Sequence, residues 1–205
     1  MIKSWQETQS GYSDLLLVLD DDDKELKKYP KNVLVRIGPR VGLSSGCNLG
    51  VKLYPDYKYY ASAGDDHRFK TKGWDKMMID KIKKEGGVGI AYGDDLLQGN
   101  RLPTAVVMSA NIIEAMGYMI PPSLKHLRID VAFRALGLRI QKLFYMPEII
   151  IEHLHPAAKK AEWDEGYLRV NSTEMVSHDS KNYVIWAKEE LPIIAKKIYG
   201  ILNKR

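Results

Sequence analysis

Apolar positions along the chain fall into short runs separated by polar turns, and two periodicities alternate. "DLLLVLD" (14–20) is a continuous apolar run, the pattern of a strand covered on both faces. "NVLVRIG" (32–38), "YKYYASAG" (57–64) and "GVGIAYGD" (87–94) predict further strands. Before the last of these, "GWDKMMIDKIKKEG" (73–86) places Trp74, Met77, Met78 and Ile82 near helical spacing. "SANIIEAMG" (109–117) opens on a Ser suited to capping and closes on Gly117, so it reads as a short helix. "SLKHLRIDVAFRALG" (123–137) predicts another, started at Ser123 and stopped at Gly137, with Leu124, Leu127, Val131 and Leu138 sharing a face. "IQKLFYM" and "EIIIEHL" (148–154) predict two strands joined at Met146–Pro147. A last helix is expected over about 179–205, interrupted or kinked by Pro192. Strands alternating with helices point to an α/β domain. No repeat, low-complexity linker or internal boundary divides residues 1–205, which read as one domain.

Composition narrows this only a little. With 45% hydrophobic and 28% charged residues the chain is of globular type, neither disordered nor fibrous. No apolar run approaches the roughly 20 residues that span a bilayer. The opening "MIKSWQETQSGYSD" lacks the apolar core of a secretion signal. Cys47 is the single cysteine, which fits a reducing compartment, and the expected location is the cytoplasm. The net charge of +5 suits a phosphate-bearing partner, but lysines scattered over solvated helices give the same total. No recognition helix and no aromatic–basic RNA motif accompanies that charge.

The chemistry gathers at strand ends. "LDDDDKE" (Asp20 to Asp23), "GDDH" (Asp65, Asp66) and "YGDD" (Asp94, Asp95) each follow a predicted strand. Ligands of open α/β sheets bind outside the carboxyl ends of the strands, so three acidic turns at one edge would form an anionic crevice suited to a cation. One such turn alone would be unremarkable, because Asp is a favoured turn residue. In "EHLHP", His153 and His155 fall on one face of a strand. With the aspartates they would give a mixed oxygen and nitrogen shell, acceptable to Mn²⁺ and less so to Mg²⁺. Asp130 lies between apolar neighbours, and Arg134 at i+4 makes an ordinary surface ion pair its plainest reading.

Taken in order, "LLLVLDDDD", "GLSSGCNLG", "GDDHRFKTKGW", "HLRIDVAFRALG" and "YMPEIIIEHLHP" resemble the glycosyltransferases of the GT-A fold, family 2 type, particularly the compact bacterial and phage-encoded members. The resemblance runs from about Asp14 to about Tyr167. It implies a Rossmann-like mixed sheet flanked by helices and a metal-dependent, inverting transfer of a sugar from a UDP-sugar to an acceptor hydroxyl. Position by position, it implies that Asp20 or Asp21 meets the uracil ring and that Asn48 lies near the nucleotide. Asp65 and Asp66 match the acidic metal motif, with Asp66 the first choice for coordinating Mn²⁺ or Mg²⁺, and His155 matches the C-terminal metal ligand. Asp130 falls where the family keeps its catalytic base, although Ile129 stands where an acid often precedes it. Trp74, Arg101, Thr104 and His153 would help line the substrate site.

The family's first strand normally precedes a helix like "KSWQETQSG"; here Met1 stands at that helix, so a sheet without that strand is expected. Two other functions compete. One is a non-catalytic remnant that binds a nucleotide-sugar or glycan. The other is a metallohydrolase built on Asp65, Asp66, His153 and His155, although no helical ligand pair such as "HExxH" is present. The acceptor class stays open among glycan, protein and hydroxylated DNA base.

Overall fold

In the computed structural model of the chain, residues 1–22 and 33–203 are described; Asp23 of the first acidic run and the end of the last predicted helix lie outside them. The chain begins with α1 (Ile2–Thr8), β1 (Leu16–Asp20), β2 (Leu34–Gly38), α2 (Gly42–Leu53), β3 (Tyr59–Ser62) and β4 (His67–Phe69). It continues with α3 (Trp74–Lys84), β5 (Ile90–Asp94), β6 (Val106–Ser109), α4 (Ala110–Met116) and α5 (Ile129–Arg139). It finishes with β7 (Leu143–His153), α6 (Glu165–Val170), α7 (Thr173–Glu189) and α8 (Leu191–Leu202). The architecture is α/β: a five-stranded mixed sheet in the order β3-β6-β5-β7-β4, and a separate parallel pair, β1-β2. Only β5 and β7 run parallel within the larger sheet.

Period-two alternation explains why both faces of this sheet are covered. Ile90 and Tyr92 of β5, with Val106 and Met108 of β6, point into one core with α4, α5, α7 and α8. Ala91 and Val107, between them in sequence, point into a second core with α1 and α3. Trp74, Met78 and Ile82 recur at four-residue spacing, which gives α3 one continuous apolar face. Met78 and Ile82 are fully buried, each worth about 1.5–3 kcal/mol relative to exposure.

Four expectations change in detail. The two strands expected around Pro147 are one, β7, and the irregularity at the proline appears as a register jump. Gly93 pairs with Met146, but Asp94 pairs with Ile150. At that jump the Ile149 carbonyl comes so close that a Cβ on Gly93 would collide with its oxygen. The helix predicted from Ser123 begins only at Ile129, because Arg128 takes a left-handed conformation (φ 64°) that helical geometry cannot continue through. Its predicted stop, Gly137, lies within α5, packed against Leu143. The last helix is two, broken at Glu190, with Pro192 in the first turn of α8 where a missing N–H costs nothing. Finally, β1 is less enclosed than its apolar run implied: of its residues only Leu17 is buried. Among the described residues no strand joins β1 to β3, and an open cleft of about 1670 Å³ lies between them.

Candidate metal centre and active-site cleft

The centre is made by strand pairing. β4 and β7 run antiparallel with His67 opposite His153, and their imidazoles stack at 4.5 Å and 13°. The turn before β4 then delivers Asp66 to the same point. Its Oδ2 lies 3.0 Å from His153 Nε2 and its Oδ1 lies 3.1 Å from His67 Nδ1. Asp66 and His153 are 87 residues apart in sequence. A Cβ on Gly64 would fall 2.5 Å from Asp66 Oδ1, so a side chain there would push the carboxylate out of the cluster. From outside, α6 supplies Tyr167, whose hydroxyl donates to Asp66 Oδ2 at 2.6 Å.

Asp66, His67 and His153 lie close enough together to hold a metal ion. One carboxylate and two imidazoles suit first-row divalent cations such as Mn²⁺, Fe²⁺ or Zn²⁺. The three are not equivalent. The Gly64 N–H donates to His67 Nδ1 at 3.0 Å, so that nitrogen would have to surrender this bond to ligate. Asp66 and the Nε2 of His153 need give up only protons and the Tyr167 hydroxyl, which makes them the stronger pair.

Electrostatics bind this group together. Burial opposes ionisation of Asp66, but hydrogen bonds from His153 and Tyr167 and the close contact with the His67 ring outweigh it and hold the carboxyl well below the usual carboxylate range. Burial likewise disfavours a charged His153, yet Asp66 and Asp95 more than offset it and raise the ring to about 9. Without metal the imidazolium therefore supplies the positive charge that the carboxylates require. The consequence for stability has a definite sign. An unfolded histidine titrates near about 6.5, so this contribution is complete below that pH and is lost as pH rises through about 9. In chelator, thermal melts between pH 6 and 10 are expected to show a loss of up to about 3 kcal/mol, reduced where solvent screens the pair. His153→Gln should flatten that slope; an unchanged slope would exclude His153 as its source.

The other sequence-predicted residues divide into those that reach the cleft and those that do not. Asp20, Asp65, Thr104, Asp130 and His155 all line it. Asp130 stands in the first turn of α5 rather than in mid-helix. Its carboxylate accepts the Val131 N–H at 2.8 Å instead of pairing with Arg134, and burial pushes its pKa up. Asp65 is exposed beside Asp66, and Asp20 pairs with Arg40 at 3.3 Å. His155 is not in the three-residue cluster; it packs edge-on against His153 at 5.1 Å and against Tyr167 at 5.4 Å. Its Nδ1 accepts the Ala157 N–H, which leaves Nε2 as its free face.

Three expectations give way to structural roles. Three of the four hydrogen-bonding positions of the Asn48 side chain are taken by the backbone: Oδ1 accepts from Met119 and Ile120, and Nδ2 donates to the Ile120 carbonyl. The side chain thus ties α2 to the 119–120 segment and is not part of the cleft lining. Trp74 reaches the cleft wall but is 3% exposed and stacks on Phe69 at 4.5 Å, so it serves the core first. Arg101 bonds to the carbonyls of Gln98 and Leu97 in its own loop and is not part of the cleft lining. Asp21 is likewise exposed and outside the lining.

Sequence reasoning assigned no role to His67 or Tyr167, and it placed Asp95 in the acidic crevice without giving it a partner. His67 stood in "GDDHRFKTKGW" and Asp95 in "YGDD", but only the pairing of β4 and β5 with β7 reveals that they meet His153. No protein-family model matches the chain, and no curated protein sequence matches it. Among the described residues no helix is long and apolar enough to cross a membrane.

Proposed function

We propose that the protein is a metal-dependent glycosyltransferase of the GT-A kind, inverting at the anomeric carbon and using a UDP-sugar. The observation that carries this reading is the meeting of Asp66 and His153 at 3.0 Å on the wall of a cleft that also receives Asp20 and Asp130. Asp66 and His153 would hold Mn²⁺ or Mg²⁺, with Asp65 and His155 close by. A bound divalent cation would neutralise the charge that builds on a departing diphosphate.

The chain's own residues do the rest. Asp130 sits in the same cleft with no cationic side chain bonded to its carboxylate among the described residues, and burial keeps its basicity high. It takes the proton of the acceptor hydroxyl as the acceptor oxygen bonds to the anomeric carbon and the bond from that carbon to the diphosphate oxygen breaks. UDP leaves, and the proton stays on Asp130. His153, His155 and Tyr167, each half-buried beside Asp66, would shield the diphosphate end from water.

The test is binding. Mn²⁺ with UDP is expected to raise the melting temperature of the wild-type chain, and Asp66→Ala, whose own unliganded melting temperature is lower, should show no such shift while circular dichroism confirms that it is folded. No shift under saturating ligand would overturn the reading. One observation favours a second, binding-only function: the two sheets share no strand along the cleft among the described residues. In that case UDP would still bind, but no donor would release it.

A further inference from the structure

Asp95 is nearly fully buried, at 2% exposure, in the turn that follows β5. Its two oxygens do different work. Oδ1 accepts the backbone N–H groups of Leu97, Gln98 and Gly99 at 3.0, 2.6 and 3.0 Å, which closes the "GDDLLQGN" turn. That task needs one oxygen, and an asparagine would perform it equally well. Oδ2 accepts the Thr104 hydroxyl at 2.9 Å and faces the ring of His153, 3.8 Å from Nδ1. The His153 N–H also donates to the Asp95 carbonyl at 3.0 Å, so the two backbones are pinned together. His153 Nδ1 is buried and has no hydrogen-bond partner in this arrangement. The turn explains an Asx residue at 95; it does not explain a buried carboxylate held by Thr104 toward an imidazole.

We infer that Asp95 is a positioning residue for the cation site: it fixes the ring and tautomer of His153, so that the proton sits on Nδ1 and Nε2 is free to ligate beside Asp66. The inference rests on the metal-site reading given above. A ligating histidine commonly directs its second nitrogen to a carboxylate, which sets the tautomer and strengthens the ligand. Thr104 then acts one step further out, by holding Oδ2 in place.

The Asp95→Asn substitution separates this role from a structural one. The amide oxygen can keep the three N–H bonds of the turn, and the Thr104 hydroxyl can turn to accept from the amide. The new NH₂, however, donates toward Nδ1 and drives the proton onto Nε2, where it blocks the metal. Calorimetric titration with Mn²⁺ is expected to show affinity reduced about 10–100-fold, with the metal-free variant still folded by circular dichroism and its melting temperature lowered only by the share of the His153 interaction that Asp95 supplies. Thr104→Val should weaken Mn²⁺ binding by a smaller factor, and it keeps the inference testable if Asp95→Asn folds poorly. In the Mg²⁺-saturated wild type, NMR should find the His153 proton on Nδ1, in a downfield resonance that moves upfield in Asp95→Asn. Wild-type Mn²⁺ affinity in both variants, or an Nε2-protonated ring in the Mg²⁺-saturated wild type, overturns the inference alone. A wild-type chain that binds neither Mn²⁺ nor Mg²⁺ overturns it together with the metal-site reading.

Discussion

Asp130→Asn is expected to lower the rate of UDP release from a UDP-sugar by about 10²–10⁴-fold, the usual worth of a positioned general base. Asparagine keeps the shape and the hydrogen bond to the Val131 N–H but cannot take a proton. The binding of UDP with Mn²⁺ should survive, because Asp130 lies in the first turn of α5 and is not part of the metal cluster. The pH dependence offers an independent check. Burial raises the Asp130 pKa, and the Val131 N–H and Arg128 only partly counter it. The acidic limb of the rate profile should therefore lie above the ordinary carboxylate range. It should vanish in Asp130→Asn, leaving a low rate that is flat across it. Turnover in Asp130→Asn equal to that of wild type, with UDP still released, would remove Asp130 from the chemistry.

How far such a residue can be found without coordinates depends on the kind of signal that marks it. Strands β1, β2, β3 and β5 are legible because their apolar runs are short and bounded by turn residues. β4, only three residues long, has no room for a pattern, and the small residues of "GLSSGCNLG" hide α2 behind weak helix propensity. The existence of α5 is legible, but its start is not. Ser123 looks like a cap, whereas the decisive event is the left-handed turn at Arg128, a residue type with no bias toward that conformation.

The site follows the same logic. Asp66, His155 and Asp130 are reached through a resemblance in motif order, and all three line the cleft. His67 and Asp95 depend on which strands pair and in what register, and no local pattern encodes that. Asn48 and Trp74 show the converse difficulty. Amide and indole groups serve cores and ligands alike, and here the partners are the 119–120 backbone and Phe69. Burial of the partner, not residue type, decides between the two uses.

Asp179 carries the largest expected effect on stability, although nothing in its sequence context marks it. Its side chain is fully buried in α7, and it accepts the backbone N–H groups of Lys125, His126 and Leu127 at 3.0, 2.9 and 2.6 Å. The ring of His178 adds a contact at 2.8 Å. One carboxylate thus ties α7 to the segment that leads into Arg128 and Asp130. Asp179→Ala would leave three partly buried amide donors without their acceptor, at about 1–3 kcal/mol each where water cannot reach them. Allowing for partial rehydration, the expected loss is about 3–5 kcal/mol, a large share of the roughly 5–15 kcal/mol that holds a domain folded. Burial alone would raise the pKa of Asp179, but the N–H donors and His178 outweigh it and depress the value. The contribution is therefore complete above the unfolded value of about 3.9 and disappears as pH falls through the folded one. Urea unfolding of wild type and Asp179→Ala should differ by the full amount at pH 7 and by less in acid, where the neutral carboxyl keeps only part of its N–H contacts. A difference under about 1 kcal/mol at pH 7 would mean that the 125–127 segment finds other acceptors. The floor of the cleft below Asp130 would then be held by packing rather than by this charge.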